Sequence, residues 1–174
     1  MAIGRALAFL SSMRPDKSSI LIAEDNLNDV FLLKTAFQEA APKIRVDVVA
    51  NGEELIDFLQ SRPRTGQSSI PALILLDLKM PKVDGFEVLD WIRHHPDFKR
   101  LLVVVFSSSG EAGQINRAYD LGANSYLMKP FDYHQLTEQV RRLLTYWMDT
   151  NLAPTFLPRA ADATAHEKVN SHVE

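Results

Sequence analysis

A chain of 174 residues, 46% of them hydrophobic, is long enough for one domain with a buried core, on a prior of roughly 100–200 residues per domain, and global disorder is excluded. A net charge of −3 excludes a nucleic-acid binder that relies on bulk positive charge. The absence of cysteine excludes disulfides and thiolate metal sites and fits a reducing cytosol, so a cytoplasmic protein is expected.

No segment approaches the roughly 18 apolar residues of a membrane span. The apolar patch Ala6 to Leu10 is too short for a secretory signal, and no small-residue cleavage site follows it. Residues 1–17 are therefore expected to be an N-terminal extension, with a short amphipathic helix in it.

The pattern becomes regular at Ser19. Ser19 to Ala23 is a short apolar run that stops at Glu24-Asp25-Asn26 and reads as a strand buried on both faces. Leu27, Val30, Leu33, Phe37 and Ala40 then recur at helical spacing, with Asn26 as N-cap and Pro42 as stop. Ile44, Val46 and Val48 alternate as a second strand. Asn51-Gly52 turns the chain into a helix around Leu55, Ile56 and Leu59. Ser61 to Pro71 is a loop rich in Ser, Pro, Gly and Arg.

Ala72 to Leu76 is the most apolar strand and ends at Asp77. A turn through Pro81 and Gly85 leads to a helix carrying Phe86, Leu89 and Ile92. Leu102 to Phe106 is a fourth strand, ending at Ser107, and a weaker helix spans about Gly113 to Leu121. Ser125 to Met128 is a fifth strand, ending at Lys129-Pro130. The last helix, about Asp132 to Met148, turns Leu136, Val140, Leu143, Leu144 and Trp147 inward. Residues 149–174 carry no sustained period and are expected to be a mobile tail, which leaves 18–148 as the domain.

Apolar strands alternating with amphipathic helices predict an α/β fold, a parallel sheet covered by helices on both faces. Such sheets bind ligands at the carboxyl ends of their strands. The polar residues stand at those ends: Glu24 and Asp25 after strand one, Asp77 after strand three, Ser107 after strand four and Lys129 after strand five. Three carboxylates gathered there repel one another, and a hard cation such as Mg2+ relieves the repulsion. Phosphoryl transfer needs mainly alignment and charge neutralisation. Lys129 can supply the positive charge and Ser107 a hydrogen bond, and Asp77, the central carboxylate, is assigned as nucleophile. The adjacent His94 and His95 do not share a helix face and are read as surface residues.

These pieces resemble the receiver domain of two-component response regulators. The likeness lies in Glu24-Asp25, the stretch Leu75-Leu-Asp-Leu-Lys-Met-Pro81, Asp84-Gly85, Ser107 and Lys129-Pro130, and covers about Ser18 to Trp147. It implies a flavodoxin-like (βα)5 sheet of order 2-1-3-4-5, phosphotransfer from a sensor histidine kinase to Asp77, and Mg2+ held by Asp25, Asp77 and the Lys79 backbone carbonyl. It implies a switch in which Ser107 is drawn inward and Tyr126 moves into the space released, changing a face that partner proteins read. The long 61–71 loop and the two extensions resemble the small stand-alone receivers that accompany bacterial phytochromes. That narrower likeness implies a homodimer through the face made by strand four, helix four, strand five and helix five. A downstream protein, not identified by the sequence, is expected to read that face, and the acidic balance and the lack of a long apolar run predict no direct contact with nucleic acid or membrane.

Two other readings are weighed against this one. A receiver-like scaffold that is never phosphorylated would keep the fold without the chemistry. A phosphatase with an aspartate nucleophile needs a second acid two residues on, where this chain has Lys79, so the chain is not expected to be an enzyme beyond its own phosphorylation and dephosphorylation.

Overall fold

Five short apolar runs become the five strands of one parallel sheet. The computed structural model describes residues 16–61 and 70–154. The strands are β1 (Asp16–Ala23), β2 (Arg45–Val49), β3 (Pro71–Leu76), β4 (Val103–Ser107) and β5 (Ser125–Met128). Their order is β2-β1-β3-β4-β5, as expected, and every neighbouring pair is parallel. The helices are α1 (Leu27–Ala40), α2 (Gly52–Ser61), α3 (Gly85–His94), α4 (Ala112–Asp120) and α5 (Tyr133–Leu144).

Strand periodicity divides the core into two layers. Leu21 and Ala23 of β1, Ile74 and Leu76 of β3, and Val103 and Val105 of β4 pack toward α2, α3 and α4. The alternate residues Ile20, Ile22, Leu73, Leu75, Val104 and Phe106 pack toward α1 and α5. All six residues of β3 are buried, as a central strand covered on both faces requires.

The order of the strands reverses between β1 and β3, and the carboxyl ends of these neighbours form the crevice where such folds bind ligands. The ends are also tied directly: the Asp77 amide donates to the Ala23 carbonyl at 2.9 Å, and the Lys129 amide donates to the Ser107 carbonyl at 2.8 Å. Asn26 caps α1 as expected, accepting from the amides of Asn28 and Asp29, and Asp84 caps α3 in a reciprocal box with Glu87.

Several expectations are corrected. Leu27 is 82% exposed, and the buried stripe of α1 is Leu33, Ala36 and Phe37. Leu27 opens the first turn and, among the described residues, is left facing solvent. The last helix is α-helical only to Leu144; Thr145–Thr150 widens into a π turn, closed by the Asn151 amide on the Tyr146 carbonyl at 2.7 Å. In this turn Met148 is buried, and Trp147, though half-buried, packs against the same core layer, as its spacing predicts. His94 is exposed, but His95 is half-buried, stacked on Phe98 with ring centroids 4.5 Å apart. The expected N-terminal helix, most of the 61–71 loop and most of the tail lie outside the described residues.

Candidate functional site

The site forms where β1 and β3 end. Glu24, Asp25 and Asp77 each bring one carboxylate oxygen to within 4.8 Å of the others. Glu24 and Asp77 are buried and Asp25 is exposed, so the cluster opens to solvent on one side. Three convergent hard oxygen donors with an open side suit a divalent ion that keeps some of its water, so these residues fit Mg2+.

Lys129 reaches the same spot from the end of β5. Its ammonium donates to Glu24 Oε2 at 2.6 Å, to Asp77 Oδ2 at 2.9 Å and to Asp29 Oδ2 at 2.8 Å. The second oxygen of Asp77, Oδ1, accepts the Lys79 amide at 3.2 Å. The Lys79 side chain is exposed.

Burial shapes the electrostatics. Desolvation pushes Glu24 up to about 7, although its hydrogen bond and charge contact with Lys129 pull the other way. Burial alone would lower the ammonium of Lys129, but its hydrogen bonds to Asp29, Glu24 and Asp77 outweigh this and hold it above its ordinary value. Lys129 is therefore a cation held by three carboxylates, with Asp25 in the neighbouring cluster.

Two glycines fix the loop that carries Asp77. A Cβ on Gly85 would stand 2.4 Å from the Asp77 carbonyl oxygen and 2.7 Å from the Leu78 Cα, so only glycine permits this approach. A Cβ on Gly52 would meet the Val83 carbonyl at 2.5 Å, where the Gly52 amide donates at 3.1 Å. Between these anchors Lys82 adopts a φ of 66°, in the left-handed region.

Ser107 is fully buried at the end of β4, and its Oγ accepts the Ser109 amide at 3.3 Å. The Tyr126 hydroxyl donates to the Ser109 carbonyl at 2.7 Å, while its half-buried ring packs on the core layer beneath α3 and α4. Ser107 and Tyr126 are thus joined through the loop that follows β4.

The fold brings Glu24, Asp25, Asp77 and Lys129 together, with the Lys79 backbone and Ser107 on the same edge. Asp29 was not anticipated. It sits in the first turn of α1, where an acidic residue is favourable for any helix, so the sequence carries no separate signal for it.

The model of the response regulator receiver domain matches residues 20–141. The chain belongs to that family. Its relatives include the probable methanogenesis regulatory protein FilR2 of Methanothrix harundinacea, 34% identical over 80% of this chain and 89% of that protein. Among solved structures, the phosphorylated cyanobacterial phytochrome response regulator RcpA is 36% identical with a TM-score of 0.72, over 79% of this chain and 99% of that one. The Mn2+-bound form of response regulator Rcp1 is 33% identical with a TM-score of 0.68, over 79% of this chain and 99% of that one.

Proposed function

We propose that this receiver takes a phosphoryl group onto Asp77 from the phosphohistidine of a sensor kinase and thereby switches a protein-interaction face. The observation that carries this reading is the bond from Lys129 to Asp77, made beside the Glu24–Asp25–Asp77 cluster. A carboxylate oxygen of Asp77 supplies the electron pair for the new O–P bond. The P–N bond of the donor breaks, and its pair and a proton from solvent go to the leaving imidazole. Mg2+, held by Glu24, Asp25, Asp77 and the Lys79 carbonyl, would neutralise charge on the phosphoryl oxygens.

Lys129 donates to a phosphoryl oxygen and Ser107 offers its hydroxyl to another. The Ser107–Ser109–Tyr126 connection gives this event a route to the outer face of β5. Met128 at the end of β5, Tyr119 in α4 and Tyr146 just past α5 are about half exposed, which supports a homodimer or a downstream protein docking on β4, α4, β5 and α5. The phytochrome response regulators among the similar solved structures favour a kinase of that class. Residues 18–148 act as the receiver in this reading, with 1–17 and 149–174 as extensions. No helix among the described residues is long and apolar enough to cross a membrane, which agrees with a cytoplasmic location.

The test is intact-mass analysis after incubation with acetyl phosphate and Mg2+. One added phosphoryl group, absent in Asp77→Asn, is the expected result. No gain from any donor, a partner kinase included, would leave a non-phosphorylated scaffold. Turnover of a generic phosphomonoester would point to a phosphatase.

A further inference from the structure

We propose that Asp29 is a positioning residue for Lys129, a latch that holds the ammonium in the unphosphorylated site and releases it to the arriving phosphoryl group. The inference rests on the phospho-acceptor role of Asp77 and adds a step to it.

An ammonium has three N–H donors. In this site all three are directed at carboxylates: Glu24 at 2.6 Å, Asp29 at 2.8 Å and Asp77 at 2.9 Å. A phosphoryl group on Asp77 brings oxygens that need donors of their own. Lys129 can serve them only if one existing bond opens.

The three bonds differ in what opening them costs. The Glu24 side chain is 1% exposed, so water cannot readily take the place of the ammonium at its Oε2. Asp77 is the residue being modified. The Asp29 side chain is 32% exposed, so water can replace the ammonium around its carboxylate. Asp29 therefore gives way first. No covalent bond changes in this exchange: the Lys129 hydrogen bond passes from Asp29 to a phosphoryl oxygen, while the transfer itself forms the O–P bond and breaks the donor's bond to phosphorus. Asp29 also adds a negative charge beside an anionic group, which opposes its binding.

The competing account is that Asp29 is an ordinary acid in the first turn of α1, useful to the helix dipole and nothing more. That role predicts a small change in thermal stability and only the slight, salt-screened gain in anion binding that follows from losing one partly exposed charge.

The experiment uses the full chain with Mg2+ and beryllium fluoride, which mimics a phosphoryl group on a carboxylate, and reads affinity by calorimetry. Asp29→Asn and Asp29→Ala are expected to bind the probe about tenfold more tightly than wild type and to be phosphorylated by acetyl phosphate faster, on the rule that about 1.4 kcal/mol is one decade. Asp29→Glu, which restores the carboxylate, is expected to stay near wild type. Unchanged or weaker binding in both Asn and Ala variants, with normal melting curves, overturns the latch. A wild type that neither binds the probe nor gains a phosphoryl group from any donor overturns the phospho-acceptor reading itself, which is a different result.

Discussion

The two ends of the sheet solve opposite problems. At the carboxyl ends, Lys129 faces Glu24, Asp29 and Asp77, with Asp25 close by, so the local charge is unbalanced. At the amino ends of β4 and β5, one guanidinium closes the structure on neutral acceptors. Arg93 donates to the Gly122 carbonyl at 2.6 and 2.8 Å, to the carbonyls of Leu101 and Lys99 at 3.0 and 3.2 Å, and to Asn124 Oδ1 at 3.0 Å. Its acceptors come from the approaches to two strands, so it fastens α3 to both. One end leaves anions in excess of cations, and the other surrounds its charge with neutral acceptors. An excess of anions invites a cation, whereas a charge fully supplied with carbonyls has no reason to move.

Lys129→Met should show the largest effect. It leaves buried Glu24 and Asp77 without their cation and should cost about 3–5 kcal/mol without metal. Added Mg2+ should return more of this than it adds to the wild type, read as the difference in melting temperature with and without the ion. An equal Mg2+ shift in both proteins would mean that Lys129 and the metal do not share the cluster.

Arg93→Ala comes next. It removes a partly buried cation from several carbonyls and should cost about 2–4 kcal/mol in denaturant unfolding. The Mg2+ affinity should stay unchanged, because the two ends are separate. A parallel loss of metal binding would break the distinction between them.

Gly85→Ala probes the active end through its backbone. The added Cβ must push the Asp77 carbonyl aside, at a cost of about 1–3 kcal/mol. The rate of phosphorylation by acetyl phosphate should fall by more than the stability change explains. A normal rate would show that the Asp77 backbone tolerates displacement.

The smallest effect is expected from Asn124→Ala at the passive end. Its Oδ1 accepts the Val103 amide at 2.8 Å as well as Arg93, so about 1–2 kcal/mol should be lost, with no change in phosphorylation rate.

The same contrast explains what could be read in advance. Glu24, Asp25, Asp77, Ser107 and Lys129 were legible because each follows an apolar strand, and parallel strands bring their carboxyl ends to one edge. Arg93 was not, because a basic residue in the last turn of an amphipathic helix is ordinary. Asp29 was hidden in the same way at the first turn of α1. Trp147 packs inward as its spacing predicts, but on a π turn beginning at Thr145 that the α-helical period does not signal.

By itself the sequence determined the alternation of elements, the two-layer core and the set of polar residues at the strand ends, since these follow from local periodicity along the chain. Only the tertiary structure decided which groups share the protons of Lys129, how closely Gly85 lies against Asp77, and which carbonyls Arg93 gathers. Those distances, several of them between segments remote in the chain, depend on how helices and loops seat on the sheet rather than on the pattern of any one segment.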